Sequence, residues 1–486
     1  MPLTGIQVQS QNYIGGQWGG AASGRTFGVH NPATGEELAR VPDAGPQDAA
    51  RAVEAAHQAF PDWSALPALE RAKFLFKVRD LMLERKEDMA RVLTMEQGKP
   101  LNEARREIEY AAAFFTWFAE EGKRVYGETI PASVPNKRLM VTKQPVGVAA
   151  AITPWNFPAA MVTRKIAPAL AAGCTVVLKP AEQTPLTAIT LFTMFEEAGV
   201  PAGVANVITT LDPREVGREL LENPLVRMIA FTGSNEVGKL LMRGAAEQVK
   251  RVSLELGGNA PFIVFEDADL DKAVAGAVTS KFRNMGQTCI CANRIYVHES
   301  VREPFTAKFV KRVEQLKMGN GLEEDVHVGP LIDEQGFKKV CAHVEDAIAK
   351  GARVLTGGQP RTDGFFAQGR FFAPTVLADV KNGMRILEEE TFGPVAPLIR
   401  FREEAEVIRA ANDTPYGLAA YFFSKDVNRC IRVAEQLEYG IIGVNDGMPA
   451  VPQAPFGGFK ESGLGREGGR EGIEEFLEVK FVSLGL

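Results

Sequence analysis

The sequence predicts an α/β protein built on parallel sheets, and three observations predict it. From about residue 138, short β-branched runs alternate with segments of helical periodicity, the rhythm of strands joined by crossover helices. The chain has 486 residues, too many for one ordinary core, so two or three domains are expected. Hydrophobic residues make up 45% and charged residues 24%, the balance of a soluble globular protein.

The first forty or so residues are rich in Gly, Thr and Asn and read as turns and short strands. Helical spacing begins near Pro46 with Ala49, Val53, Ala56 and Phe60, and Ala72 to Val92 forms a second helix. A third runs from Leu101 to Gly122, which ends it as a C′ glycine, and its Ala111, Phe114, Phe115 and Phe118 are core. Arg138 to Ile152 is strand-like. Strands are then expected at Thr175–Lys179, Val204–Thr209, Met228–Thr232 and Arg251–Glu255, with helices at Leu186–Ala198, Pro213–Glu222 and Asn235–Ala245 between them. A second block alternates helix Asp271–Met285, strand Arg294–Val297, helices Pro304–Leu316 and Gly336–Lys350, and strand Ala352–Thr356. The β-prone Val479–Val482 closes the chain and needs a pairing partner, because a free edge strand is an aggregation liability.

Composition narrows the function. The net charge of −6 comes with no basic block, which argues against nucleic-acid and anionic-membrane partners. The start, MPLTGIQVQSQNYIGGQW, lacks the layout of a signal peptide, and no apolar run is long enough for a membrane span. Cys174, Cys289, Cys291, Cys341 and Cys430 are too few and odd in number for a disulfide framework, so a reducing, cytoplasmic setting is expected. No metal site is expected, since H-E-x-x-H and paired C-x-x-C are absent.

Four stretches carry chemistry. Gly286-Gln287-Thr288-Cys289-Ile290-Cys291 is a polar loop between helix and strand, where a cysteine is either an assisted nucleophile or a small buried residue. In Leu254-Glu255-Leu256-Gly257-Gly258-Asn259 a carboxylate stands between leucines, a setting that raises its pKa toward that of a general base, or a structural carboxylate that caps a loop. Phe231-Thr232-Gly233-Ser234 enters a helix whose free N–H groups attract phosphate or are simply N-capped. Thr153-Pro154-Trp155-Asn156-Phe157-Pro158 is a proline-stiffened loop whose Asn amide suits an oxyanion site or an Asx-type turn.

Nine motifs in order change the weighing: Asn31–Glu36, Glu96–Pro100, Pro154–Pro158, Lys179–Glu182, Phe231–Ser234, Glu255–Gly258, Gly286–Cys289, Glu390–Pro394 and Pro455–Gly458. Through them the chain resembles the aldehyde dehydrogenase superfamily over essentially its whole length. The resemblance implies a Rossmann-type nucleotide-binding domain (residues 1–124 and 146–257), an α/β catalytic domain (258–470) and a small β oligomerisation element (125–145 and 471–486). It implies that Cys289 is the nucleophile, passing through a thiohemiacetal and a thioester. Asn156 and the Cys289 N–H hold the oxyanion, and Glu255 activates the hydrolytic water. For the cofactor it implies Thr153, Pro154 and Trp155, Lys179 and Glu182 at the adenosine ribose, Gly233 and Ser234 at the pyrophosphate, Glu390 at the nicotinamide ribose and Phe392 beside the ring. A carboxylate at the ribose hydroxyls repels a 2′-phosphate, so Glu182 favours NAD, with NADP tolerated beside Lys179.

Within the superfamily, Pro154–Pro180, Gly286–Arg294 and Ser462–Gly468 resemble the succinate-semialdehyde dehydrogenase group. That likeness implies that Arg164 and Arg283 grip a distal substrate carboxylate, with Phe157 and Phe456 beside the substrate. The group's usual serine is absent from Asn445–Ala454, so glutarate or 2-oxoglutarate semialdehyde fits the same arginines. Cys291 is a candidate partner for Cys289 in a reversible redox switch, or an inert small residue. A CoA-acylating enzyme and a non-catalytic relative are the rivals, and intact Glu255, Cys289, Asn156 and Glu390 argue against them. A homodimer or homotetramer is expected, with Val479–Val482 pairing on another subunit.

Overall fold

Two mostly parallel sheets organise the computed structural model, which describes residues 8–486. Met1–Gln7, part of the N-terminal stretch read for a leader, lie outside the described residues. The first sheet runs, edge to edge, Gln17–Gly19, Asn12–Ile14, Ala205–Val207, Thr175–Lys179, Val148–Ile152, Val226–Thr232, Arg251–Glu255 and Gly463–Leu464. Its five inner strands are parallel. In chain order they step outward from Val148–Ile152 to Ala205–Val207, then restart on the other side with Val226–Thr232. This reversal is a topological switch point, where open α/β sheets bind ligands beyond the carboxyl ends of their strands.

The second sheet runs Arg353–Thr356, Thr375–Ala378, Val395–Phe401, Ala292–His298, Ala260–Val264, Ala419–Phe423 and Ile441–Val444, parallel except at its first edge. Helices cover the faces, and the all-apolar Val148–Ile152 and Ala260–Val264 read as central strands because both their faces are buried. One face of the first sheet is packed by helices Ala68–Glu84, Leu101–Glu121, Ala160–Ala172 and Pro185–Ala198, with Phe114, Phe115 and Phe118 wholly buried among them. Among the described residues no helix is long and apolar enough to cross a membrane.

Three expectations are corrected, and the terminal strand gains a partner within the chain. Ala72 to Val92 is two helices, Ala68–Glu84 and Lys86–Gln97, broken at Arg85; Glu87 and Asp88 favour a new helix start there. Gly122 is not a left-handed cap: its φ is −55°, and a Cβ there would come within 3.2 Å of Ala171, so it is small because two helices cross close by. The helix expected to reach Met285 ends at Phe282, and Asn284, Met285 and Gly286 follow at φ 49°, 57° and 73°. The terminal strand, Leu477–Gly485, pairs antiparallel with Lys137–Pro145 of the same chain and forms the edge of that three-stranded sheet. Its Val479, Phe481 and Leu484 remain exposed.

Candidate active site

The residues singled out for the nucleotide converge on one end of the first sheet. Register aligns Ile152 with Lys179 and with Phe231, and Thr232 with Glu255, so Thr153, Lys179, Gly233 and Glu255 all lie at the carboxyl ends of adjacent parallel strands. Lys179 Nζ is 3.2 Å from Glu182 Oε2, and burial pushes the lysine pKa down. Ser234 caps the helix Asn235–Ala246, its hydroxyl accepting the Val237 N–H. The residues fit a dinucleotide: they combine a switch point, a helix start and a carboxylate beside a lysine, the polar set a ribose and a pyrophosphate require.

Segment Glu255–Asn259 leaves the first sheet and enters the second. Its glycines are required by close approach. A Cβ on Gly258 would meet the Cys289 carbonyl oxygen at 2.5 Å, and one on Gly257 would meet Glu390 Oε2 at 2.9 Å. Glu390 Oε1 accepts the Gly258 N–H, and burial pushes this carboxyl up to about 7. Phe392, at φ 54°, sets its ring edge-on to Trp155 at 5.5 Å. The loops bearing Glu255, Cys289, Glu390 and Trp155 therefore meet between the two sheets.

Three consecutive left-handed residues turn the chain into the cysteine loop. Such backbone costs about 1–2 kcal/mol per non-glycine residue, and it persists here because hydrogen bonds over-determine it. The Asn284 N–H donates to Glu103, while its amide donates to the carbonyls of Asn156 and Gln287. At Gly286 a Cβ would lie 2.2 Å from the Gly393 carbonyl oxygen. Asn156 Nδ2 spends one hydrogen on the Gln287 carbonyl at 3.1 Å, leaving its second for a ligand. On the other side, buried Lys99 pairs with Glu107 at 2.5 Å and donates to the Asn156 carbonyl at 2.7 Å. Glu107 in turn accepts the Ala159 N–H, so the asparagine is held rigidly.

Cys289 is half-buried and opens onto a cavity of about 500 Å³ whose lining includes Phe157, Arg164, Arg283, Met448, Ala450 and Phe456. Burial pushes its thiol up to about 12, opposed by the nearby charges of Arg164 and Arg283. Glu255 is buried, and neither of its oxygens has a hydrogen-bond partner. Burial first, then the negative charge of Glu467, holds its pKa well above the usual carboxylate range. Arg164 Nε lies 3.0 Å from Glu467 Oε2, close enough for an ion pair but off-line for a hydrogen bond. Lys165 binds the same carboxylate and donates to Thr232 at 2.6 Å. Arg283 is different: it makes no ion pair with any described residue, its Nε has no hydrogen-bond partner, and it stands over the Phe157 ring at 5.5 Å.

Cys291 is wholly buried and its sulfur lies 3.3 Å from Lys281 Nζ. Lys99, Glu107, Asn284 and Glu467 were missed by reasoning from sequence. No local signal marks them, since each stands among charged, polar or glycine neighbours, and the partners that explain them lie up to 302 residues away. Among the described residues no cluster of three or more His, Cys, Asp or Glu could hold a metal.

The sequence matches the aldehyde dehydrogenase family over residues 18–482. It is 56% identical to a glutarate-semialdehyde dehydrogenase of Pseudomonas putida over 100% of both chains. It is also 56% identical to the NADP(+) succinate-semialdehyde dehydrogenase of Escherichia coli, over 98% of each. A crystal structure of an E. coli NADP-dependent enzyme superposes with a TM-score of 0.97 at 56% identity, covering 99% of this chain and 98% of that one. With an ordered set of motifs, a shared fold and relatives more than half identical end to end, the chain belongs to the aldehyde dehydrogenase family, in its succinate-semialdehyde dehydrogenase-like group, as an NAD(P)-dependent enzyme.

Proposed function

We propose that the protein oxidises a short aldehyde with a carboxylate at its far end to the corresponding diacid, with water as the acyl acceptor. The observation that carries this reading is Arg283, a guanidinium on the wall of the Cys289 cavity that pairs with no acidic side chain among the described residues. A cation without an ion-pair partner in such a cavity is a ready carboxylate site, because a guanidinium grips a carboxylate with two parallel hydrogen bonds. Arg164 adds positive charge, partly neutralised by Glu467.

In this reading the Cys289 sulfur attacks the aldehyde carbon, and Asn156 Nδ2 with the Cys289 N–H receives the oxyanion. Thr153, Pro154, Trp155, Lys179, Glu182, Gly233, Ser234, Glu390 and Phe392 hold the nucleotide, which when bound supplies the hydride acceptor. Glu255 takes a proton from the water that opens the Cys289 thioester. Met448 and Ala450 line the cavity in the segment that lacks a serine, giving an apolar wall suited to methylene groups. This favours a five-carbon, glutarate-type chain beside the four-carbon succinate type. The test is a panel of C4 to C6 aldehydes with and without a terminal carboxylate, assayed with and without coenzyme A. Arg283→Ala is expected to raise KM about tenfold to a hundredfold for the acids, the value of charged hydrogen bonds, and to change it less than about twofold for neutral aldehydes. Equal effects on both remove the carboxylate assignment.

Cofactor preference rests on Glu182, whose carboxylate disfavours a 2′-phosphate and so favours NAD, while its pairing with Lys179 softens that repulsion. Glu182→Gln is expected to raise the NADP to NAD ratio of kcat/KM about tenfold, the effect of roughly 1.4 kcal/mol. An unchanged ratio moves the determinant elsewhere. Five free cysteines support a cytoplasmic setting, and the exposed apolar side chains of Leu477–Gly485 support a homo-oligomer.

A further inference from the structure

Arg283 is not the outermost cation of the substrate cavity. Arg106, on the helix Leu101–Glu121, and Arg312, on the helix Arg302–Val313, also line it, and both are exposed. Neither pairs with a carboxylate among the described residues; Arg312 donates only to the Gln315 amide at 3.1 Å. Most nearby charges are accounted for otherwise. Arg105 is shared between Glu87 and Glu324, Lys317 is paired with Asp325, and Glu107 is paired with Lys99. Glu103, the remaining acid of the lining, accepts the Asn284 N–H and feels both Arg283 and Arg106. Two helices thus each place an exposed guanidinium, without an ion-pair partner among the described residues, on the lining of the cavity.

The geometry points to an outer anion site, formed by Arg106 and Arg312, that captures the acid group of the aldehyde at the mouth of the cavity and hands it inward to Arg283. It deepens the carboxylated-aldehyde reading and rests on it. A cleft lined with one sign of charge raises the local concentration and encounter rate of the opposite ion, and salt screens the effect over about 8–10 Å. The site therefore sets specificity through kcat/KM, favouring anionic aldehydes, and favouring those with two acid groups more strongly. It leaves the bond-making steps at Cys289 untouched.

The test uses the full-length enzyme and measures kcat/KM for succinate semialdehyde and for butanal between low and high salt, in wild type, Arg106→Gln/Arg312→Gln and Arg106→Glu/Arg312→Glu. For the acid, the glutamine pair is expected to lose about threefold to tenfold at low salt and most of its salt dependence, with kcat retained. The charge-reversed pair is expected to lose further and to invert the salt dependence. Turnover of butanal reports folding and is expected within about twofold of wild type. If the glutamine pair keeps the wild-type salt dependence, or loses butanal and the acid equally, the outer site is wrong. If wild type itself shows no preference for the acid over butanal, it is the carboxylated-aldehyde reading that fails.

Discussion

Cys289→Ala is expected to lower kcat/KM for aldehyde oxidation by about four orders of magnitude or more, because no covalent route survives the loss of the sulfur. The side chain is half-buried and small, so the variant is expected to melt within a few degrees of wild type, which separates lost chemistry from lost fold. The environment of the thiol makes a second, independent check. Burial pushes it up to about 12, so it is protonated in the nucleotide-free enzyme at neutral pH. Alkylation of Cys289 by iodoacetamide is then expected to accelerate about tenfold for each pH unit between 7 and 10, since only the thiolate reacts. A flat profile would show that Arg164 and Arg283 already hold the sulfur as an anion. Residual dehydrogenase activity in Cys289→Ala above about one part in a thousand would place the nucleophile elsewhere.

Glu255→Gln is expected to reduce steady-state turnover about 10²- to 10⁴-fold while keeping a rapid first turnover of NAD(P)H. The burst follows where the Cys289 proton leaves to solvent without Glu255 once nucleotide and aldehyde are bound: forming the thioester then needs the thiolate, the oxyanion donors and the nucleotide, and only deacylation needs the base. Loss of the burst together with the steady state would assign Glu255 to an earlier step. The pH dependence has a definite sign. The folded pKa of Glu255 is raised by burial and by Glu467, and the base acts only when ionised, so turnover limited by deacylation rises with pH through that raised value. Glu467→Gln removes a neighbouring negative charge and frees Arg164 and Lys165, each of which lowers the Glu255 pKa. The rising limb is therefore expected to move to lower pH. A limb that does not move would show that the two carboxyls do not share a field.

Much of this protein is written locally. Thr175–Lys179, Pro213–Glu222 and Arg251–Glu255 have the bounds their β-branched runs and helical spacing predict, because each is closed by residues next to it in sequence. The motifs around Asn156, Glu255, Cys289 and Glu390 were legible for a related reason. Each pairs a reactive group with the glycines or prolines that let the backbone approach it, and these stand within a few residues of one another. The misplaced elements mark what is not local. Asp271 to Met285 has helical texture to its end, yet the helix stops at Phe282 because Glu103, Asn156 and Gly393, from three distant segments, dictate the turn. The same is true of charge. From the sequence, Arg164 and Arg283 are equivalent arginines beside equivalent loops, and nothing local distinguishes them. Only the fold seats Glu467 beside Arg164 and leaves Arg283 without an ion-pair partner among the described residues, because an ion pair is decided by proximity in space, and that is where the substrate's own charge is expected to go.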